Sequence, residues 1–306
     1  MKDRNIKKAE PVVTGIEDRF HFVISDECIS CGACAEVCPA GAVAKGGSHY
    51  EIDPEKCIDC GTCSAVCPTG AAESPMTGRD SISVPEPDAE NVYFNPGCAL
   101  CIYKPDVARL MDELLKEHFS DLKCHEVCCR HEPGLPEGSV IINNCAGCDR
   151  RFRSLYSGID TISFWEVADS FDDLELPDYG GVTMSVHDSC GFRHKPQVHA
   201  AVRSLLRKMN IDIEEAEHHG MTSECCGDNL YGLVPNGEVQ RRMRQRASEF
   251  PCDDVVVYCI GCERSLLDGG KTPHYLPDLI FGRKSRTEAD DLDEYHSRLA
   301  DWIKDH

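Results

Sequence analysis

Eight cysteines near the start of the chain form two runs with the same spacing, Cys-x2-Cys-x2-Cys-x3-Cys-Pro. Thiolates are soft ligands, and four of them in one short loop can surround an iron–sulfur cluster or a zinc ion. Zinc needs four ligands per site but does not call for this spacing twice, so we interpret both runs as iron–sulfur ligands that carry electrons. The first run is Cys28, Cys31, Cys34 and Cys38, and the second is Cys57, Cys60, Cys63 and Cys67.

The spacing resembles that of bacterial ferredoxins, in which the fourth cysteine of each run binds the cluster of the other run. The resemblance implies that Cys67 completes the first site and that Cys38 completes the second. Two cubane 4Fe-4S clusters are therefore expected, one held by Cys28, Cys31, Cys34 and Cys67 and the other by Cys57, Cys60, Cys63 and Cys38. An α+β ferredoxin domain is expected over residues 20–73, after an N-terminal extension over residues 1–19.

A second cysteine system follows in two stretches of similar organisation. Each stretch has one cysteine, then an adjacent cysteine pair, and then a Cys-x-Gly-Cys sequence. Five thiolates gathered from three loops exceed what one zinc ion or one ordinary cubane requires. The first stretch supplies Cys98, Cys128, Cys129, Cys145 and Cys148, and the second supplies Cys190, Cys225, Cys226, Cys259 and Cys262.

The elements that must position these cysteines also repeat. The sequences NVYFN and VTMSVH predict strands before Cys98 and Cys190, and an amphipathic helix is predicted after each, the first from Pro105 to about Phe119. SVIINN and DVVVY predict the strands that lead into the two Cys-x-Gly-Cys sequences. Alternating strands and helices indicate an α/β fold, with the cysteines on loops at strand ends, built by duplication of one unit.

This arrangement resembles the CCG domain of heterodisulfide reductase catalytic subunits, which also occurs in subunits that oxidise succinate, glycerol 3-phosphate and lactate. Cys225-Cys226-Gly227 carries the Cys-Cys-Gly signature, and His187-Asp188 precedes Cys190 as in the family. Pro96-Gly97-Cys98 matches the start of the family's first repeat. A ferredoxin module ahead of two such repeats is similar to the membrane-associated reductase catalytic subunit and to the glycerol-3-phosphate dehydrogenase iron–sulfur subunit.

A composition rich in serine, proline and acidic residues predicts a linker over residues 74–91, and apolar residues at rough helical spacing predict a C-terminal helix over 283–306. A shortened first CCG repeat is expected over 92–180 and a second repeat over 181–282. In the family, each repeat binds a noncubane 4Fe-4S cluster through its five cysteines, and the two clusters cleave a disulfide between them. All ten cysteines of the two stretches are therefore expected to bind clusters. Those of the second stretch are also expected to be catalytic.

The first stretch departs from the family pattern. Arg130 stands where the second stretch has a glycine after the cysteine pair. Fifteen residues separate Cys129 from Cys145, against thirty-two between Cys226 and Cys259, which predicts that a helix is missing. The chain is therefore expected to hold one or two noncubane clusters, and the first stretch leaves the choice open.

Several residues near the cysteines have two interpretations. Cys101 and Cys124 are either buried small hydrophobic side chains or further cluster ligands. The residues that flank Cys190 either bind an anionic substrate or supply a proton, or they form a basic surface cluster. They are His187, Arg193, His194 and Lys195.

The resemblance implies an iron–sulfur oxidoreductase that passes electrons from the cubanes to noncubane clusters, where a disulfide is reduced or formed. Expected partners are an electron-donating flavoprotein, hydrogenase or ferredoxin, a membrane cytochrome subunit, and a small-molecule disulfide or thiol substrate. The alternative is a non-catalytic electron-transfer subunit that links a flavoprotein dehydrogenase to a membrane or quinone partner.

The composition and charge of the chain exclude some classes of protein. The chain has 306 residues, 21 cysteines and a formal net charge of −21, and this charge excludes a broad nucleic-acid footprint. The first residues include no apolar signal segment, and no run approaches the length of a membrane span. Thiolate clusters in a reducing cytoplasm, peripheral to a membrane only through a partner, are the expected setting, in an anaerobe.

Overall fold

The computed structural model describes residues 21–58, 60–73, 82–156 and 158–306. This part of the chain forms a small cysteine-rich module followed by two four-stranded parallel sheets, each flanked by helices. The expected N-terminal extension over residues 1–19 lies outside the described residues, as do residues 74–81 of the expected linker.

The N-terminal module is built from two antiparallel strand pairs and two short helices. Strands β1 and β4 pair, as do β2 and β3. Gly32 and Gly61 precede the helices with φ of 84° and 81°, a left-handed conformation that glycine adopts without steric cost. Each glycine thereby turns the chain between the second and third cysteines of its run. The elements are β1 Val23–Ile24, α1 Ala33–Val37, β2 Val43–Lys45, β3 Tyr50–Ile52, α2 Thr62–Ala65 and β4 Ala72–Glu73.

The first parallel sheet has the strand order β6-β5-β7-β8. Helix α4 begins at Pro105, where the missing N–H costs nothing, and it ends at His118, close to the predicted span. The elements are β5 Val92–Asn95, α3 Cys98–Tyr103, α4 Pro105–His118, β6 Lys123–Cys124, β7 Ser139–Asn143, α5 Ala146–Leu155, β8 Ile159–Ser163 and α6 Phe164–Asp169.

The second parallel sheet has the strand order β10-β9-β11-β12. Its helix α8 has no counterpart in the first stretch, because residues 129–138, all of them described, contain no helix. The short spacing predicted this difference. The elements are β9 Val182–His187, α7 Pro196–Lys208, β10 Ile211–Ile213, α8 Asn236–Ala247, β11 Asp254–Val257, α9 Ile260–Asp268, β12 Thr272–Tyr275 and α10 Leu276–Ile280, with 3-10 turns at Cys190–Phe192, Gly220–Thr222 and Asp228–Leu230.

Both sheets thus have the same order, in which the first strand lies between the second and the third. The first and third strands are therefore neighbours, and the chain continues from them in opposite directions across the sheet. In open parallel sheets a crevice opens between the loops at the carboxyl ends of two such strands. Cys98 and Cys145 follow the first and third strands of the first sheet, and Cys190 and Cys259 follow those of the second. The cysteines therefore lie where this topology forms binding sites.

The two sheets share one hydrophobic core. Trp165 of α6 is fully buried, and its ring meets Tyr258, which follows β11, edge to face with the centroids 5.8 Å apart. The two halves of this region therefore bury apolar surface against each other instead of forming separate domains.

Two buried lysines also join the halves, each crossing from one sheet to the other. Lys104, before α4, donates to Glu263 at 2.8 Å and to Asp278. Lys195, before α7, donates to Asp149 at 3.1 Å. Both acceptors, Glu263 and Asp149, directly follow the last cysteine of a Cys-x-Gly-Cys sequence. Each half therefore supplies a lysine to the buried carboxylate beside the other half's cysteines, and Asp149 also has Arg153 of its own helix at 3.6 Å. We call these contacts the crossed lysine bridges.

The last helix, α11, spans Leu292–Asp305. The carboxylate of Asp291 accepts from the backbone N–H groups of residues 293 and 294 and caps the helix start. Tyr295 is buried and its ring stacks on Tyr103 of α3 with the centroids 5.0 Å apart. Among the described residues, no helix combines the length and the apolar character that crossing a membrane would require.

Candidate metal centres

Two pockets of the N-terminal module are lined by cysteines from both runs. The fourth cysteine of each run faces the first three cysteines of the other run. The first pocket is lined by Cys28, Cys31, Cys34 and Cys67, and the second by Cys38, Cys57, Cys60 and Cys63.

The surroundings of these sulfurs suit thiolates bound to a metal centre. The backbone N–H of Ala42 donates to Cys38 Sγ at 3.2 Å, and that of Ser30 donates to Cys28 Sγ at 3.4 Å. Burial, reinforced by the neighbouring thiolates, raises the pKa of the Cys63 thiol to about 12. Because a thiol with this pKa keeps its proton at neutral pH, a bound cationic centre is what would hold the sulfur as a thiolate. The donor set therefore fits iron–sulfur clusters.

In the first parallel sheet, five cysteines from three loops form a continuous chain of thiol–thiol contacts. The single cysteine meets the first member of the adjacent pair, and the second member meets the Cys-x-Gly-Cys sequence. The order of contacts is Cys98, Cys128, Cys129, Cys148 and Cys145. We call this group the first site. Hydrogen bonds from Cys129 and Cys98 lower the pKa of Cys128, the thiol that accepts from both sides.

In the second sheet, five cysteines form the same chain in the same order. The contacts run through Cys190, Cys225, Cys226, Cys262 and Cys259, which we call the second site. Hydrogen bonds from Cys190 and Cys226 lower the pKa of Cys225, which occupies the place of Cys128. Each site thus offers five adjacent sulfurs, more than a tetrahedral ion uses, and this set fits a cluster of several metal atoms.

The loop after the cysteine pair differs between the two sites. Gly227 has a φ of +106°, and a Cβ there would approach Met243 of α8 at 3.1 Å. Arg130, at the equivalent place in the first site, is not among the described non-glycine residues with positive φ. Because α8 has no counterpart there, the first site has neither the backbone conformation nor the crowding that requires glycine.

A buried histidine adjoins the second site. A ring nitrogen of His187 and the Sγ atoms of Cys226 and Cys262 all lie within 4.8 Å of one another. Burial, followed by the charge of Arg246, lowers the pKa of His187 to about 3. The ring is therefore neutral at physiological pH.

The second site also touches the N-terminal module. The Nε of Arg193 donates to the Ser223 carbonyl, and its Nη2 donates to the Cys60 carbonyl, both at 2.7 Å. The side-chain amide of Asn229 donates to the Ile58 carbonyl at 3.3 Å and lies 3.9 Å from Cys190 Sγ. The module's second pocket is thereby fixed against the second site.

A cleft of about 770 Å³ is lined by residues of both halves and by Cys57 and Ile58 of the N-terminal module. Cys98 of the first site lines it, as do Asp228 and Asn229, which follow the cysteine pair of the second site. Arg130 and Arg150 place positive charge on its surface. Helix α11 covers one side of the cleft with residues 299, 300, 303 and 304.

Two of the basic residues that flank Cys190 are buried. Arg193 is 2% exposed and Lys195 is 1% exposed, and both are committed to partners inside the protein. The basic surface cluster is therefore wrong for these two residues, because contacts distant in sequence bury them, while anion binding and proton supply stay predictions. Cys101 lines the pocket of the first site, whereas Cys124 is exposed on β6.

The crossed lysine bridges were not predicted from the sequence, although a repeated pattern in the sequence marks their residues. Lys-Pro-x-Val occurs after both Cys98 and Cys190, and each Cys-x-Gly-Cys sequence is followed by an acidic residue and an arginine. These repeated pairs mark the two ends of each bridge.

Comparison with known proteins agrees with this geometry. Residues 27–71 match a family described as a 4Fe-4S dicluster domain, and residues 184–266 match a family described as a cysteine-rich domain, CCG. A ferredoxin of Thermoanaerobacterium thermosaccharolyticum is 60% identical over 31 residues, covering 10% of this chain and 56% of the ferredoxin. A ferredoxin of Megasphaera elsdenii is 61% identical over 28 residues, covering 9% and 52%.

A longer similarity is to a subunit of the fumarate reductase (CoM/CoB) of Methanothermobacter marburgensis, which is 24% identical over 303 residues. The match covers 85% of this chain and 59% of that relative, so the chain spans about three-fifths of the relative's length. The dicluster match and the CCG match show that this chain is an iron–sulfur protein with a 4Fe-4S dicluster domain and a CCG cysteine-rich domain.

Proposed function

We propose that the chain is an iron–sulfur oxidoreductase of heterodisulfide reductase type, which exchanges electrons with a small-molecule disulfide or thiol. The observation that carries this proposal is the pair of five-cysteine sites with identical orders of contact. A disulfide RS–SR takes up two electrons and two protons to give two thiols. Two such sites in one chain, each able to receive one sulfur, suit that cleavage, and the cleft lined by Cys98 and Asn229 would admit the substrate.

The shared strand order, cysteine order and crossed lysine bridges support an origin of the two halves by duplication. We propose the first CCG repeat over residues 92–180 and the second over 181–282. The ferredoxin domain is proposed over residues 20–73.

We propose that the two pockets of the ferredoxin domain hold cubane 4Fe-4S clusters and that the first and second sites each hold a noncubane 4Fe-4S cluster. The donors are the cysteines that line the pockets and form the two contact chains. When bound, these clusters accept and deliver single electrons at low potential. The five second-site cysteines would be catalytic because they hold the cluster that reacts with the disulfide.

The contacts between the domains support a direction of electron flow. The Cys60 and Cys225 thiols lie near enough for their charges to interact, and the charge of Arg193 acts on Cys60 as well. Arg193 and Asn229 hold the carbonyls of Cys60 and Ile58 against the second site. We therefore propose that electrons leave the ferredoxin domain through the pocket of Cys38, Cys57, Cys60 and Cys63 and enter the second site.

The similar Methanothermobacter protein is by its name part of a fumarate reductase (CoM/CoB), and this supports a role beside other redox subunits. The proposed donors are a flavoprotein, a hydrogenase or a ferredoxin. A cytoplasmic location is proposed, with attachment to a membrane through a partner such as a cytochrome subunit.

One observation favours a second candidate function, a non-catalytic relay between a flavoprotein dehydrogenase and a membrane or quinone partner. The first site lacks both the glycine and the helix that enclose the second site. A protein whose first site is less enclosed would pass electrons between its clusters without holding a substrate between two equivalent sites.

Iron analysis and one variant pair test the proposal. Anaerobically purified protein should contain about sixteen iron atoms if both sites hold four-iron clusters and about twelve if the first is empty. The Cys226→Ser variant should lose turnover of small-molecule disulfides with reduced methyl viologen, together with the second-site EPR signal, while the cubane signals remain. Cys252→Ser is the matched control, since that thiol lies outside the contact chains and contacts Glu214.

Eight iron atoms or fewer would contradict the proposed clusters. Full disulfide turnover by Cys226→Ser, with the second-site signal lost, would place catalysis elsewhere and favour the relay.

A further inference from the structure

The position of His187 is unusual for a polar side chain. It is the last residue of β9, it is 0% exposed, and it ends the strand three residues before Cys190. Its Nε2 is buried and has no hydrogen-bond partner in the protein. Leaving a buried donor unpaired costs about 1–3 kcal/mol, so such an atom needs an explanation.

The other ring nitrogen shows where the proton lies. Arg246 Nη2 stands 3.5 Å from His187 Nδ1. A guanidinium has only donors, so the nitrogen that faces it must accept. A neutral imidazole that accepts at Nδ1 carries its proton on Nε2. Hence the unpartnered atom is an N–H group.

The ring has little freedom to turn away. Phe250 meets it edge to face with the centroids 5.5 Å apart, and the Arg246 guanidinium lies 4.6 Å from the centroid of the same Phe250 ring. Arg246 is itself held by the His218 carbonyl at 2.8 Å and by Ser223 Oγ at 3.3 Å. The histidine is therefore presented to the second site in one orientation and one tautomer.

Two sulfurs of the second site lie close to the ring. A ring nitrogen of His187 lies within 4.8 Å of both Cys226 Sγ and Cys262 Sγ, which belong to the second site. This arrangement could in principle make the histidine a metal ligand. Ligation through Nε2 would, however, move the proton to Nδ1 and place it against the N–H of Arg246, so two donors would face each other.

We propose that His187 is a positioning and tuning residue of the second site, whose Nε2–H donates a hydrogen bond to a sulfide of the cluster that the site would hold beside Cys226 and Cys262. The inference rests on the proposed function only in that the second site holds a cluster. Hydrogen bonds to cluster sulfurs stabilise the reduced, more negative state and raise the reduction potential. His187 would then make the second site a better electron acceptor from the ferredoxin domain.

The test is a redox titration of the full-length, anaerobically loaded protein, monitored through the EPR signal of the second site. His187→Leu should shift the midpoint potential of that site to lower values without changing the cubane potentials. His187→Gln keeps an N–H donor and should recover part of the shift. His199→Leu is the matched control, because His199 is another buried histidine, on α7, with an unpartnered Nε2.

A measurement on the wild-type protein supplies a second criterion that does not depend on the folding of variants. With ¹⁵N-labelled histidine, electron–nuclear double resonance of the second-site signal should show only a weak nitrogen coupling, together with an exchangeable proton. A strong coupling, as from a nitrogen bound to iron, would overturn the hydrogen-bond assignment. So would a second-site potential that is unchanged in His187→Leu while the signal persists. A wild-type protein with no second-site signal would instead overturn the proposed function and this inference with it.

Discussion

Replacement of Arg193 by methionine should separate the ferredoxin domain from the second site. Arg193 is 2% exposed, and its guanidinium joins the Cys60 carbonyl to the Ser223 carbonyl with two contacts of 2.7 Å. Gly61 lies directly against it, since a Cβ at this glycine would come within 2.1 Å of the Arg193 Cζ. Methionine fills a similar length of space but offers no donor to either carbonyl.

The magnitude follows from the hydrogen bond to the Cys60 carbonyl, because this bond crosses to the ferredoxin domain, whereas Ser223 lies in the same half as Arg193. A hydrogen bond to a charged group contributes about 1.5–3 kcal/mol. We therefore expect the free energy of docking to fall by about 2 kcal/mol, roughly a 30-fold change in the docking equilibrium. Arg193→Lys keeps the charge but cannot span both carbonyls, so its effect should be intermediate.

Hydrogen exchange measured by mass spectrometry reports the docking, and freeze-quench EPR after mixing with dithionite reports electron transfer. In Arg193→Met, peptides around Cys60 should exchange about 30-fold faster if exchange occurs through undocking, and the second-site signal should be reduced more slowly. Cubane reduction should not change. Arg241→Met, at an exposed residue of α8 paired with Glu238, is the matched control. Wild-type exchange and wild-type second-site reduction in Arg193→Met would refute this account of the interface.

Two further variants test the surroundings of the sites. Gly227→Ala must place a side chain at a φ of +106° and within 3.1 Å of the α8 backbone, so it should lose about 1–3 kcal/mol of stability and much of the second-site EPR signal. Arg130→Gly should leave the first site unchanged. Equal effects of the two variants on their sites would contradict this difference. Lys195→Met leaves the buried Asp149 without its lysine, so it should lower the free energy of unfolding by about 3 kcal/mol in denaturant titrations and loosen the first site. The surface variant Lys208→Met should lower it by less than about 1 kcal/mol. Loss of the second-site EPR signal alone in Lys195→Met would contradict the crossed arrangement.

The parts of the fold that could be predicted from the sequence are those with local signals. Cysteine spacing and the β-branched runs identified a CCG-domain iron–sulfur protein, and the comparisons confirm it. The helix that starts at Pro105 was predicted to within a residue at its end, because its apolar positions recur with helical spacing. The missing helix before β7 followed from a simple count of residues.

Contacts between distant segments could not be predicted in the same way. Arg193 meets the carbonyl of a residue 133 positions away, and Lys104 meets Glu263 across 159 positions. A basic residue next to a cysteine has the same local sequence whether it binds a ligand, faces solvent or is buried against another domain. Its role depends on how the ferredoxin domain and the two halves pack, which no single window of sequence specifies.

The crossed lysine bridges also have a consequence for the order in which the protein matures. Asp149 is synthesised before Lys195, and Lys104 is synthesised long before its acceptors Glu263 and Asp278. In the first half alone, the buried Asp149 would keep only Arg153 of its own helix, 3.6 Å away, and Lys104 would have neither of its carboxylates. Because a buried charge that lacks partners is unfavourable, the first half should become more stable once the second has been made. A fragment that contains only the first half would have all five thiols but a less stable site. We therefore expect the first site to take up iron more readily in the full chain than in that fragment.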